Sequence, residues 1–129
     1  MNVNFKEKIS LTQKDFEYFK KRVKYWLKKL GLKEWDAFFE FKKDTKGGFA
    51  EINWDYEGAK ATITLKGKWR CKVSDKKYQI EKSALHEVLH LLLAPLAEQA
   101  MKKKFYPSEY RAEEHKIINR LISVLLKED

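Results

Sequence analysis

Long apolar runs are missing from this 129-residue chain. No stretch approaches the roughly 18 consecutive apolar residues that crossing a bilayer takes, and residues 1–11 lack the apolar centre of a secretory signal. A cytoplasmic protein with no membrane partner is expected. Cysteine is nearly absent as well. Cys71 stands alone, which excludes an internal disulfide, fits a reducing compartment and leaves the thiol as a small apolar strand residue. Two prolines and five glycines in the whole chain leave no material for a flexible linker, and neither a repeat nor a low-complexity tract appears, so residues 1–129 are read as one domain. Acidic charge is the minority: 19 Asp plus Glu against 28 Lys plus Arg give a net charge of +9. That balance favours acidic partners, nucleic acid among them, by long-range attraction, without defining a function.

What the chain has is enough to fold. Hydrophobic residues make up 43%, including four Trp, six Tyr and eight Phe, sufficient for one core and too rich for a disordered tail. Phe16, Phe19, Val23, Trp26, Leu27 and Leu30 recur at three- and four-residue steps and predict an amphipathic helix from about Thr12. Thr12 with Asp15 resembles a capping pair, and Gly31 stands where a left-handed cap is wanted. Lys14, Lys20, Lys21, Arg22, Lys24, Lys28 and Lys29 occupy its outer side, as a solvated surface or as a nucleic-acid contact.

Between Trp35 and Val73 the texture turns aromatic and β-branched. The runs 37–41, 49–54, 61–65 and 69–73 predict three or four strands. Lys46-Gly47-Gly48 and Glu57-Gly58 offer positive-φ positions for tight turns, so the first two strand pairs are expected as antiparallel hairpins in a small curled sheet, with Trp35, Trp54 and Trp69 as packing residues. Helical period returns from about Ile80 to Ala94, with Pro95 as punctuation and an extension to Met101. A last helix is expected from about Ser108 to Leu126. The predicted class is α+β, in the order helix, sheet, helix, helix.

Histidine is scarce, and its placement is the most informative feature of the chain. The three histidines, His86, His90 and His115, fall within thirty residues. His86-Glu87-Val88-Leu89-His90 matches H-E-x-x-H, which on a helix sets two imidazoles on one face, one turn apart, with a carboxylate beside them. Two neutral imidazoles, a third protein ligand and one exchangeable water suit tetrahedral zinc, which lowers the water's pKa toward ~7. Glu87 is then the group that takes the proton. Leu85, Val88, Leu89, Leu91, Leu92 and Leu93 predict a buried helix around this trio, where polar groups need partners.

The last helix offers the third ligand. Ile117, Ile118, Leu121, Ile122, Val124 and Leu125 define an apolar stripe that, projected back one turn, lands nearest Glu114, with Tyr110 on the same stripe. Glu113 and His115 fall to either side. Glu114 is the favoured ligand and His115 the alternative, imidazole being a good zinc donor and the helix being free to roll by part of a turn.

His86-Glu87-x-x-His90 followed by Glu114 on a later helix resembles a very small gluzincin, the zincin metallopeptidase class with a glutamate third ligand. The stretches 86–96 and 113–121 are also similar to small metallopeptidases encoded by phages and prophages, a resemblance that covers roughly the last fifty residues. It implies a minimal zincin-like domain acting on a protein or peptide substrate in a bacterial or phage-infected cytoplasm. The expected mechanism is attack of a zinc-activated water on the peptide carbonyl, with Glu87 as general base and later proton donor. It further implies a group that stabilises the oxyanion, for which Tyr110, Arg111 and His115 are available and Tyr110 is the first choice. Ile118 stands four residues after Glu114, where gluzincins commonly carry an acid. Two other readings are a DNA-associated protease similar to the SprT-like class and a non-catalytic interaction module on a zincin fold. A monomer is expected.

Overall fold

The computed structural model describes residues 6–45, 48–102, 104 and 106–126. Lys46 and Gly47, the first two residues of one predicted turn, lie outside the described residues. The chain runs β1 (Glu7–Ser10), α1 (Gln13–Lys29), β2 (Asp36–Lys42), β3 (Ala50–Asp55), β4 (Lys60–Lys66), β5 (Lys68–Cys71), a single 3-10 turn (Val73–Asp75), α2 (Lys76–Ala100) and α3 (Pro107–Leu125). The class is α+β, with three α-helices, two small sheets and no barrel among the described residues. Among the described residues, no helix is long and apolar enough to cross a membrane.

Local chemistry sets the start and end of α1. The Thr12 backbone N–H donates to Asp15 Oδ2 at 2.8 Å while the Asp15 N–H donates to Thr12 Oγ1 at 3.2 Å, a reciprocal capping box that satisfies donors the first turn cannot. Gly31 follows the last turn at φ +70°, a conformation that costs a β-carbon dearly. The face bearing Phe16, Phe19, Val23 and Leu27 is buried. It packs on α2, and Arg22 holds the two helices in register through a forked pair of bonds to Glu81, 2.6 and 2.9 Å, joined by Trp26 Nε1 at 3.2 Å.

Asp15 also faces Lys76 Nζ of α2 at 3.2 Å. Burial works against its ionisation, but the Thr12 N–H and the Lys76 ammonium outweigh it and hold the carboxyl below its ordinary 3.8. A depressed acid stabilises the fold above its unfolded pKa and loses that contribution as pH falls through the folded one. Asp15→Asn is therefore expected to cost about 1 kcal/mol at pH 7, and chemical denaturation repeated at falling pH should show the difference closing below the unfolded value.

Sheet pairing departs from the simple meander that the strand order suggests. β4 lies between β2 and β3, so the order is β2-β4-β3, with β2 parallel and β3 antiparallel to β4. The expected β3–β4 hairpin forms, whereas β2 and β3 are not neighbours. Burial explains the insertion: β4 carries Ala61, Ile63, Thr64 and Leu65 in the interior, whereas β2 alternates half-buried and exposed residues. The most apolar strand takes the central place, where both edges are paired. In the β3–β4 turn the left-handed residue is Ala59, at φ 51°, rather than Gly58. A β-carbon at Gly58 would stand 2.6 Å from the Asp55 carboxylate, which would have to turn aside.

The second sheet is a two-stranded ribbon of β1 and β5, antiparallel, with Ile9 opposite Trp69. Sequence reading assigns no strand to residues 7–10, because one apolar residue in four gives no period to detect. α2 continues through Pro95 to Ala100, where sequence reading expects an interruption. A proline removes the bond to the carbonyl four residues earlier and kinks a helix more often than it ends one when both halves are packed, and here Leu91, Leu92, Ala94 and Gln99 are buried on either side of it.

Candidate metal centre

His86, Glu87 and His90 sit at mid-length of α2, and their neighbours on the helix explain their exposures. Val88, Leu91 and Leu92 point into the core, while Leu89 and Leu93 are exposed, so α2 is apolar on one broad side rather than buried all round. His86 and His90 lie on the open side. Glu87 lies between the two sides and is only 4% exposed.

The two imidazoles converge. His86 Nε2 and His90 Nε2 are 3.2 Å apart, with ring centroids at 4.9 Å and planes inclined by 76°. One potential ligand atom from each of His86, Glu87 and His90 falls within 4.8 Å of the others. Two zinc–nitrogen bonds of about 2.1 Å at a tetrahedral angle put their nitrogens roughly 3.4 Å apart, so the observed separation fits one ion held between the rings. It also suits a single N–H···N bond in which one ring donates and the other accepts. Trp54 of β3 stacks on the His90 ring at 6.3 Å and 25°, limiting how far that ring can turn.

No family, curated protein or solved structure matches. The donor set itself is compatible with a zincin motif and with a metal ion.

Glu87 has the properties of a proton acceptor. Its Oε2 is buried and has no hydrogen-bond partner among the described residues. Burial first, and the nearby Glu51 carboxylate second, push its pKa up from 4.5 to about 7, where a base is useful at neutral pH. An ionised carboxylate enclosed in this way calls for a cation close by. His90 shifts the other way: burial and then His86 lower its pKa, which keeps the ring neutral and its nitrogen lone pair available. A groove of about 250 Å³ opens on His86 and Glu87 but not on His90, and is completed by Gly48, Phe49 and Ala50 where the chain enters β3 and by Gln79, Lys82 and Ser83 of α2. β3 is an edge strand of its sheet, and the groove meets it at its first residue, Ala50.

The residues of α3 do not join the group of three. Glu114 is half-buried, His115 is exposed, and neither belongs to the cluster of donor atoms around His86 and His90. The His115 ring donates through Nδ1 to the Arg111 carbonyl at 2.7 Å, which leaves Nε2 as its accepting nitrogen. Tyr110 is half-buried and Arg111 exposed. The buried side of α3 is narrower than its composition suggests: Ile117 is buried and Leu121 half-buried, yet Ile118 and Ile122 are 41% and 48% exposed. The centre of the stripe consequently shifts toward Glu113. That residue, placed at the edge by sequence reading, turns inward and accepts from the Tyr56 hydroxyl at 3.2 Å while pairing with Lys116 at 3.0 Å. Burial and the Glu113 carboxylate raise the Tyr56 pKa.

Sequence reading did not single out Trp54, Glu51 or Tyr56 as neighbours of this region. Ala50, Ile52 and Trp54 do alternate on one face of β3, but nothing in the order of residues tells which helix that face covers.

Proposed function

We propose that this chain is a zinc-dependent peptidase, with His86 and His90 as ligands, Glu87 as general base and α3 as the source of the third ligand. The observation that carries the reading is the pairing of two converging imidazole nitrogens, 3.2 Å apart, with a carboxylate whose buried Oε2 has no hydrogen-bond partner among the described residues. Glu114 is preferred over His115 because it is half-buried on the inner side of α3, whereas His115 is exposed and spends one ring nitrogen on Arg111.

A divalent zinc ion bound there supplies Lewis acidity and makes a water more acidic at neutral pH. The protein does the rest. The Glu87 carboxylate accepts a proton from the attacking water and returns it to the departing amine. Low solvent exposure keeps that carboxylate basic until it is used. Trp54 restrains the His90 ring, and the groove along the start of β3 receives an extended chain through backbone bonds to the free strand edge. Tyr110 of α3 is the proposed oxyanion donor.

The test is proteolysis of an unfolded protein substrate. Zinc-loaded protein should release peptides, a chelator should stop release, and added zinc should restore it. Stoichiometric zinc without cleavage across several substrates would instead mark a binding module.

A further inference from the structure

The exposed face of the β1–β5 ribbon is a second surface, made almost wholly of cations. In β5 the residues alternate: Trp69 and Cys71 are buried, and Lys68 and Arg70 are exposed. The pairing register sets Lys8 directly opposite Arg70 and Ser10 opposite Lys68. The neighbouring sheet repeats the pattern at its end, where Lys42 stands opposite Lys66. Like charges directly across an antiparallel pair destabilise it, so Lys8 opposite Arg70 imposes a cost that the fold does not require.

These residues surround two adjoining grooves. One, of about 370 Å³, is lined by Lys8, Ser10, Lys66, Lys68 and Arg70 together with Asp44. The other, of about 260 Å³, shares Ser10 and Lys68 with it and adds Lys42 and Lys43. Lys42 is engaged by Glu40 at 3.2 Å. Among the described residues, no ion pair is seen for Lys8, Lys43, Lys66, Lys68 or Arg70. On helix α1, the other lysine-rich element, part of the charge is engaged, since Arg22 is held by Glu81, Lys20 pairs with Glu17 at 3.0 Å and Lys24 lies over the Phe39 ring, while Lys14, Lys21 and Lys28 stand on a convex helix surface rather than around a groove.

We infer that the grooves along β1, β5 and the ends of β2 and β4 bind the sugar-phosphate backbone of a single nucleic-acid strand. Alternate residues of a strand advance by roughly 6.5 Å, so Lys68 and Arg70 can meet successive phosphates of an extended chain while Lys8 closes the far side. None of the large exposed hydrophobic side chains lines either groove, which removes the wedge that membrane insertion uses. Trp69 lines the floor of the first groove but is 2% exposed, and the half-buried Phe41 in the second is stacked on Phe16 at 5.0 Å, so contacts fall mainly on phosphates, with little sequence preference. This surface owes nothing to the metal reading, and either can fail alone.

The experiment is a fluorescence anisotropy titration of a labelled oligothymidylate in the presence of chelator, with salt varied between about 50 and 200 mM. Five unpaired cations predict a log–log slope of about −3.5 for a single strand. The triple variant Lys8→Glu, Lys68→Glu, Arg70→Glu should bind at least tenfold more weakly, and the same positions changed to Gln should weaken binding less. A control with Lys14, Lys21 and Lys28 changed to Glu should bind nearly as wild type. Circular dichroism identifies any variant that has not folded, and the Gln set then decides. Salt-independent binding, equal binding by the ribbon variants, loss confined to the helix control, or preference for phosphatidylserine vesicles or a poly-glutamate peptide over the oligonucleotide would each overturn the assignment.

Discussion

Glu87→Gln is expected to keep zinc bound while lowering peptide hydrolysis by at least about a hundredfold, the contribution of a positioned general base. The amide preserves the size of the side chain and withdraws the basic oxygen. The same substitution has a second expected effect with no catalytic origin. Glu87 is almost wholly buried with one oxygen unpartnered, and its carboxyl is raised to about 7 by burial and Glu51. A raised acid is harmless to the fold below its unfolded pKa, lowers stability as pH climbs from there to the folded pKa, and costs a constant amount above it. In chelator, Glu87→Gln should accordingly be more stable than wild type by about 2 kcal/mol at pH 8, with the advantage shrinking toward pH 5. Denaturant melts at the two pH values, beside an activity assay on zinc-loaded protein, measure both effects. A variant that retains full turnover would remove Glu87 from the mechanism.

His86→Ala and His90→Ala should each weaken zinc binding by more than about a hundredfold, because a tetrahedral site with three protein ligands does not survive the loss of one. Removing an imidazole also frees the opposite ring from its 3.2 Å neighbour, so little is left to hold an ion. Metal analysis of purified protein, with competition against a chromogenic chelator for affinity, measures the loss. The third ligand is decided in the same series. Glu114→Ala should behave like the histidine variants and His115→Ala like wild type, and the opposite result would transfer the role to His115. Zinc content unchanged in His86→Ala and His90→Ala together would end the peptidase proposal.

Different parts of the molecule were legible in the sequence to different degrees, for reasons visible in single residues. The capping box of Thr12 and Asp15 was readable because its partners are three positions apart. β2, β3, β4 and β5 were located to within about two residues by β-branched and aromatic runs. β1 was missed, since a four-residue strand with one half-buried residue is recognisable only through its partner. On α3, equal weight on every isoleucine placed the inner face too far toward Ile118 and Ile122, and the contact of Glu113 with Tyr56, 57 positions away, lay beyond any local rule.

By itself the sequence determined the three helices, the α+β class and the meeting of two imidazoles with a carboxylate, because four-residue spacing on a helix is a property of backbone geometry alone. Only the tertiary structure decided that β4 enters between β2 and β3, that Trp54 covers His90, that Glu87 is shut away from water beside Glu51, and that Lys8 faces Arg70. Each of these depends on which surfaces compete for the interior, and that competition is settled between segments far apart in the chain, where no periodicity carries the information.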